Sequence, residues 1–107
     1  MAIRDIDEAA AERLAHPDNG PAAVYFYTPL CGTCKLGERM LEIAVAAGAD
    51  TPVAKLNINY APHLRDVWRI ASVPCLVLLQ GGEPVRKEYA MKSVDSLYLL
   101  LKRKNPG

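Results

Sequence analysis

The sequence predicts an α/β fold: a central mixed sheet of four to five strands flanked by four helices on both faces. Three observations predict it. Short apolar runs alternate with segments of helical spacing, in the order β-α-β-α-β-α-β-β-α. The runs Ala22–Tyr27 and Cys75–Leu79 are apolar almost throughout, as strands covered on both faces are. Gly81-Gly82 separates the last two strands at hairpin spacing, which makes that pair antiparallel. A chain of 107 residues, 50% hydrophobic and 23% charged, fits one domain, 1–107, with a core of its own.

Ile3–His16 opens as a short strand or extended lead-in and continues as a helix. Asp5 followed three residues later by Glu8 resembles a capping box, and Ala9-Ala10-Ala11 favour the helix. Pro17-Asp18-Asn19-Gly20-Pro21 must end it. After the strand Ala22–Tyr27, a helix is expected over Cys34–Ala47, with Leu36, Met40, Ile43 and Val45 among its apolar positions and Gly48 as its stop. Pro52–Ile58 alternates Val53, Lys55 and Asn57 with Ala54, Leu56 and Ile58, a strand with one more polar side. Ala61–Ile70 is a short amphipathic helix with Leu64, Val67 and Trp68 on its apolar side and His63 at the surface. Val73-Pro74 introduces the strand Cys75–Leu79, where a leading proline leaves no ladder bond unmade. The strand Pro84–Ala90 returns from the glycines. Ser93 caps a last helix, Val94–Lys102, held down by Leu97, Leu100 and Leu101, with Asp95 favouring its dipole. The tail Lys102–Gly107 reads as a frayed helix end.

The chemistry gathers at one junction. The strand ending in Tyr25-Phe26-Tyr27 turns through Thr28-Pro29-Leu30 into Cys31-Gly32-Thr33-Cys34, where a helix begins. A thiol at a helix N-terminus lies near free backbone N–H groups, which favour thiolate over thiol. Cys34 follows one turn later, close enough to close a small disulfide ring. Gly32 and Thr33 are small and leave the pair open. The competing reading is a structural zinc site. That needs about four ligands, whereas the chain offers one pair, one further cysteine at 75, and His16 and His63 without a second C-x-x-C.

Other classes recede. A net charge of +1 gives no footprint for nucleic acid or an anionic membrane. No apolar run approaches the roughly 20 residues of a spanning helix. Acidic residues stand among the first ten with no apolar core of a signal peptide, so the cytoplasm is the expected compartment. Three cysteines, an odd number, do not make a secreted disulfide framework.

With this order of elements the chain resembles a thioredoxin. The residues that carry the resemblance are Val24–Tyr27, Cys31-Gly32-Thr33-Cys34-Lys35, Ala54–Asn59, Val73-Pro74 and Gly82-Glu83, in register from about Val24 to Leu101. The resemblance implies the thioredoxin fold and a thiol–disulfide oxidoreductase acting on protein disulfides. It implies Cys31 as the attacking thiol and Cys34 as the resolving thiol, with Pro74 as the family's cis-proline facing the sulfurs. Val73, Gly32 and Ala90 would line an apolar groove for an extended partner chain, beside Leu30. Lys55 matches the lysine beneath the site. Electrons would come from a thioredoxin reductase or a low-molecular-weight thiol. No cofactor beyond the cysteine pair is expected.

The departures from the family pattern are specific. Leu30 stands where thioredoxins usually have tryptophan, and Thr33 where they have proline. Tyr25 stands where a buried aspartate takes the proton of the resolving thiol, so Lys55 is expected to lack its acidic partner. Arg39 lies near the family's helix-kinking proline, and Ala90 replaces a glycine beside the groove. The Thr33 hydroxyl and freed N–H are expected to donate toward the Cys31 sulfur and stabilise the reduced form. Cys75, directly after Pro74, is either a small buried core residue or a third participant, through a non-native disulfide, a small-thiol cap or a three-thiolate site. Three functions follow: a general disulfide reductase, a narrow-specificity protein serving one partner or a small-thiol pool, and a non-catalytic binding module.

Overall fold

Strand β2 (Ala22–Tyr27) is apolar on both faces, and it occupies the middle of the molecule. In the computed structural model, which describes residues 3–102, five strands form one sheet in the order β1-β3-β2-β4-β5. The others are β1 (Arg4–Asp5), β3 (Val53–Asn57), β4 (Cys75–Gln80) and β5 (Glu83–Glu88). β1, β3 and β2 run parallel; β4 and β5 are antiparallel to their neighbours, giving the mixed sheet of a thioredoxin fold. Four helices flank it: α1 (Glu8–Leu14), α2 (Gly32–Ala46), α3 (Pro62–Val67) and α4 (Val94–Leu101).

Alternation along the strands builds two cores. Val24, Phe26, Leu56, Val77 and Cys75 pack with Ala11, Leu64 and Trp68, and Phe26 meets Trp68 edge to face at 6.0 Å. Ala23, Tyr25 and Leu76 pack on the other side with Leu41, Ala44, Leu97 and Leu101. The expected alternation of β3 holds, with Ala54 and Leu56 buried and Val53, Lys55 and Asn57 half-buried.

Local chemistry sets the turns. Gly81 and Gly82 adopt φ of +61° and +83°, the left-handed pair that a two-residue hairpin requires. A Cβ at Gly82 would also run into the backbone of Ala15 and Pro17. Ser93 caps α4 as expected, its hydroxyl accepting from Ser96 N–H at 3.0 Å.

Several expectations are corrected. The cap of α1 is Asp7, whose carboxylate accepts from Ala10 N–H at 2.8 Å. Asp5 instead belongs to β1 and accepts from the Tyr27 hydroxyl at 2.7 Å. Glu8 accepts from Leu64 N–H at 2.8 Å, so it caps α3 rather than its own helix. On α2 the buried residues are Cys34, Gly37, Leu41 and Ala44, while Leu36 and Ile43 face outward. The inward stripe holds small residues because the helix lies close on the sheet, so side-chain size misleads there. The expected helix Ala61–Ile70 is shortened to α3, and a 3₁₀ turn (Ile58–Tyr60) precedes it, beginning at Ile58 where the expected strand ended. Lys87 of β5 donates to the Trp68 and Arg69 carbonyls at 3.0 and 3.1 Å, and Arg69 turns left-handed at φ +53°. α3 ends just before these residues, at Val67, whose side chain is exposed. The expected strand Pro84–Ala90 stops at Glu88. Residues 103–107 of the expected frayed tail lie outside the described residues. Among the described residues, no helix is long and apolar enough to cross a membrane.

Candidate active site at the start of α2

Cys31 is itself the N-cap of α2, so the helix begins two residues before the expected Cys34. The Cys31 backbone is extended and its Sγ accepts from the Cys34 N–H at 3.1 Å. An N-cap side chain reaches the second or third helical N–H. The N–H that reaches the sulfur is therefore Cys34's and not that of Thr33. The Thr33 hydroxyl lies 3.3 Å from the same sulfur, as expected. Cys31 and Cys34 are joined in a disulfide with their Cα atoms 5.1 Å apart. The pair is asymmetric: Cys31 is half-buried and Cys34 is 1% exposed.

Beneath the pair lies Tyr25, fully buried on β2, whose hydroxyl donates to the Cys34 carbonyl at 2.8 Å. Gly37, one turn further along α2, leaves room for that phenol. A Cβ there would collide with the Tyr25 hydroxyl and with Met91. Burial, with the Glu38 carboxylate second, pushes the Tyr25 phenol far above its ordinary range.

Lys55 has an acidic partner after all. Its Nζ lies 2.9 Å from Glu38 Oε2, an ion pair from β3 to α2 whose side chains are 20% and 24% exposed. The family position for the acid is on β2; here the acid projects from the helix, so reading position by position missed it. Lys55 also lies over the Tyr27 ring at 5.5 Å. Burial and the bond to Asp5 push the Tyr27 phenol up to about 12.

The Val73-Pro74 bond is cis. Pro74 and Ala90 line a hollow of about 270 Å³ with Thr33, Leu36, Gly37, Met40, Tyr89 and Met91. Val73 lines a separate one of about 240 Å³ with Thr28, Arg65 and Ser72. Pro74 and Ala90 thus face one hollow and Val73 the other. Leu30, 97% exposed, lines neither of them, and Gly32 is open to solvent. Leu36, Met40 and Met91 were missed, because only the folded chain brings residue 91 to the start of α2. A more open hollow of about 680 Å³, between Asn59 and Arg69, contains no cysteine.

Cys75 is fully buried on β4 opposite Phe26. Burial pushes its thiol up to about 11, against a smaller lowering by the Tyr89 hydroxyl. That setting fits a small core residue. Among the described residues, no three His, Cys, Asp or Glu side chains gather to hold a metal ion.

The thioredoxin family model matches residues 4–103. The chain is 38% identical over 98 residues to the thioredoxin-like protein YusE of Bacillus subtilis, covering 92% of each chain. It is 34% identical over 80 residues to the thioredoxin of Mycobacterium tuberculosis, covering 74% of this chain and 69% of that one. Among solved structures, a mutant thioredoxin from Halobacterium salinarum superposes with a TM-score of 0.82 at 25% identity, over 98% of this chain and 95% of that one.

Proposed function

The chain belongs to the thioredoxin family, a membership that supports thiol–disulfide oxidoreductase chemistry, and from that premise we propose that it reduces disulfides in proteins. Cys31 is the nucleophile and Cys34 the resolving thiol. The observation that carries this assignment is the asymmetry of the pair, an accessible N-cap thiol in front of a buried one. The Cys31 thiolate attacks one sulfur of a substrate disulfide. The Cys31–substrate bond forms and the other substrate sulfur leaves as a thiolate. Cys34 then loses its proton and attacks Cys31 Sγ, and the second substrate sulfur leaves. Two electrons have passed to the substrate, and the Cys31–Cys34 disulfide remains. A thioredoxin reductase or a low-molecular-weight thiol in the cytoplasm restores the dithiol. The Cys31–Cys34 pair itself carries the electrons, in its dithiol form, so this reading invokes no other cofactor.

Pro74, Thr33 and Ala90 belong to the surface that receives the substrate chain, with Leu30 and Val73 at its margins. A second reading, service to one partner or a small-thiol pool, is favoured by the exposed Leu30 and Leu36 beside the cysteines. A partner with a matching apolar patch would bury both.

The test is a trap. With a disulfide-bonded peptide, Cys34→Ser should accumulate a mixed disulfide on Cys31, seen by mass spectrometry, and Cys31→Ser should accumulate none. An adduct on Cys34 in the Cys31→Ser protein, with none on Cys31 in Cys34→Ser, would reverse the roles.

A further inference from the structure

Cys34 must give up its proton before it can attack the mixed disulfide, and its side chain is buried. Burial makes a thiol hold its proton more tightly. The step therefore needs an acceptor within reach. The titratable groups around α2 come from β2, from β3, from α2 itself, from α4, whose Asp95 and C-cap Lys102 are exposed and whose Tyr98 lies against Lys102, and from Tyr89 in the hollow beside Pro74. From β2, Tyr25 is committed as a donor to the Cys34 carbonyl, and its proton is held far above neutral pH. Tyr27, also from β2, donates to Asp5 of β1. From β3 comes Lys55, directly beside Tyr25 in the strand register. From α2 itself come Glu38 and its neighbours; Lys35 and Arg39 are exposed, and Glu42 lies two turns beyond Cys34.

Glu38 is distinguished from these by place and by partner. It follows Cys34 by four residues, so the two side chains leave the same face of α2 one turn apart. Its carboxylate is three-quarters buried and is fixed by Lys55 Nζ at 2.9 Å. Its charge reaches the two phenols on β2, Tyr25 and Tyr27. We propose that Glu38, held in place by Lys55, accepts the Cys34 proton in the resolving step, with Lys55 as a positioning residue. This inference rests on the assignment of Cys31 and Cys34 made above.

The step balances. The proton passes from Cys34 Sγ to a Glu38 carboxylate oxygen. The Cys34 thiolate attacks Cys31 Sγ, the Cys31–Cys34 bond forms and the bond from Cys31 to the substrate breaks. The departing substrate thiolate takes a proton, which returns the carboxylate to its charged form. The pair thus supplies what neither phenol supplies, a carboxylate fixed one helical turn from Cys34.

The experiment follows both steps in one trace. Reduced protein is mixed in a stopped-flow instrument with 5,5′-dithiobis(2-nitrobenzoate), which releases one coloured thiolate on attack by Cys31 and a second on resolution by Cys34. In Glu38→Gln the second release should slow by about tenfold or more at pH 7, while the first serves as the internal reference. That second rate should then climb steeply with pH between 6 and 9, where the unaltered protein is flatter. Glu38→Asp should restore part of the rate, and Lys55→Met should move the acid limb of the second release to higher pH. A second release with unchanged rate and unchanged pH profile in Glu38→Gln overturns the inference and leaves the proposed function standing. If Glu38→Gln does not fold, an unchanged pH profile in both Glu38→Asp and Lys55→Met overturns it equally. Absence of the first release in the unaltered protein overturns the proposed function, and this inference with it.

Discussion

Cys31 and Cys75 are the same side chain in opposite settings. The first caps a helix, with a backbone N–H 3.1 Å from its sulfur. The second lies inside the sheet, where burial pushes its thiol from 9.0 up to about 11. Little Cys75 is then thiolate at pH 8, and thiolate is the form that reacts. Oxidised native protein should therefore bind no thiol reagent at pH 8, and should bind one equivalent after unfolding, counted by mass spectrometry. Rapid native labelling of Cys75 would contradict its burial. The sign of the stability effect follows. The fold favours the neutral thiol, so the contribution is intact below the ordinary cysteine range and is lost as pH rises toward 11. At this scale the cysteines were legible in the sequence, because spacing and turn chemistry are local. The Glu38–Lys55 pair was not, because its members stand 17 residues apart and meet only across helix and strand.

Helices α1 and α3 show the same division one level up. α3 begins at Pro62 with no side-chain bond from its own N-cap, Ala61. Glu8 of α1 supplies that bond, with Glu12 near His63 at 3.8 Å beside it. Glu8→Ala should destabilise the protein by roughly 1–2 kcal/mol, read as a lower denaturant midpoint with unchanged slope. A change within about 0.3 kcal/mol would mean that water replaces the cap without loss. The sequence placed both helices because their turn residues and periodicity are local signals. It misassigned Glu8, since a capping-box pattern does not say which helix end the carboxylate reaches. It also misjudged the inner face of α2, where Gly37 and Ala44 face the sheet and Leu36 and Ile43 do not.

Across the whole molecule, the alternation of elements and the single hairpin fixed the mixed sheet in advance. Strand β1, two residues long, takes its place only by pairing with β3, which no local pattern announces. The fold in turn sets the redox balance, because it holds α2 with the Thr33 hydroxyl and the Cys34 N–H at the Cys31 sulfur. Both favour thiolate and hence the reduced form. The reduction potential, measured by equilibration in thiol buffers, should lie tens of millivolts above the thioredoxin value of about −270 mV. Thr33→Val should lower it by about 20 mV, the equivalent of one hydrogen bond of about 1 kcal/mol. A potential clearly below about −270 mV would contradict the argument.

Tyr25 beneath Gly37 also ties neighbouring positions to one another. An aspartate at 25 alone would leave the volume of a phenol ring empty and set a second carboxylate within the field of Glu38. A larger residue at 37 alone would strike the phenol. Positions 25, 37 and 38 are therefore coupled: the cost of a change at one depends on what stands at the other two.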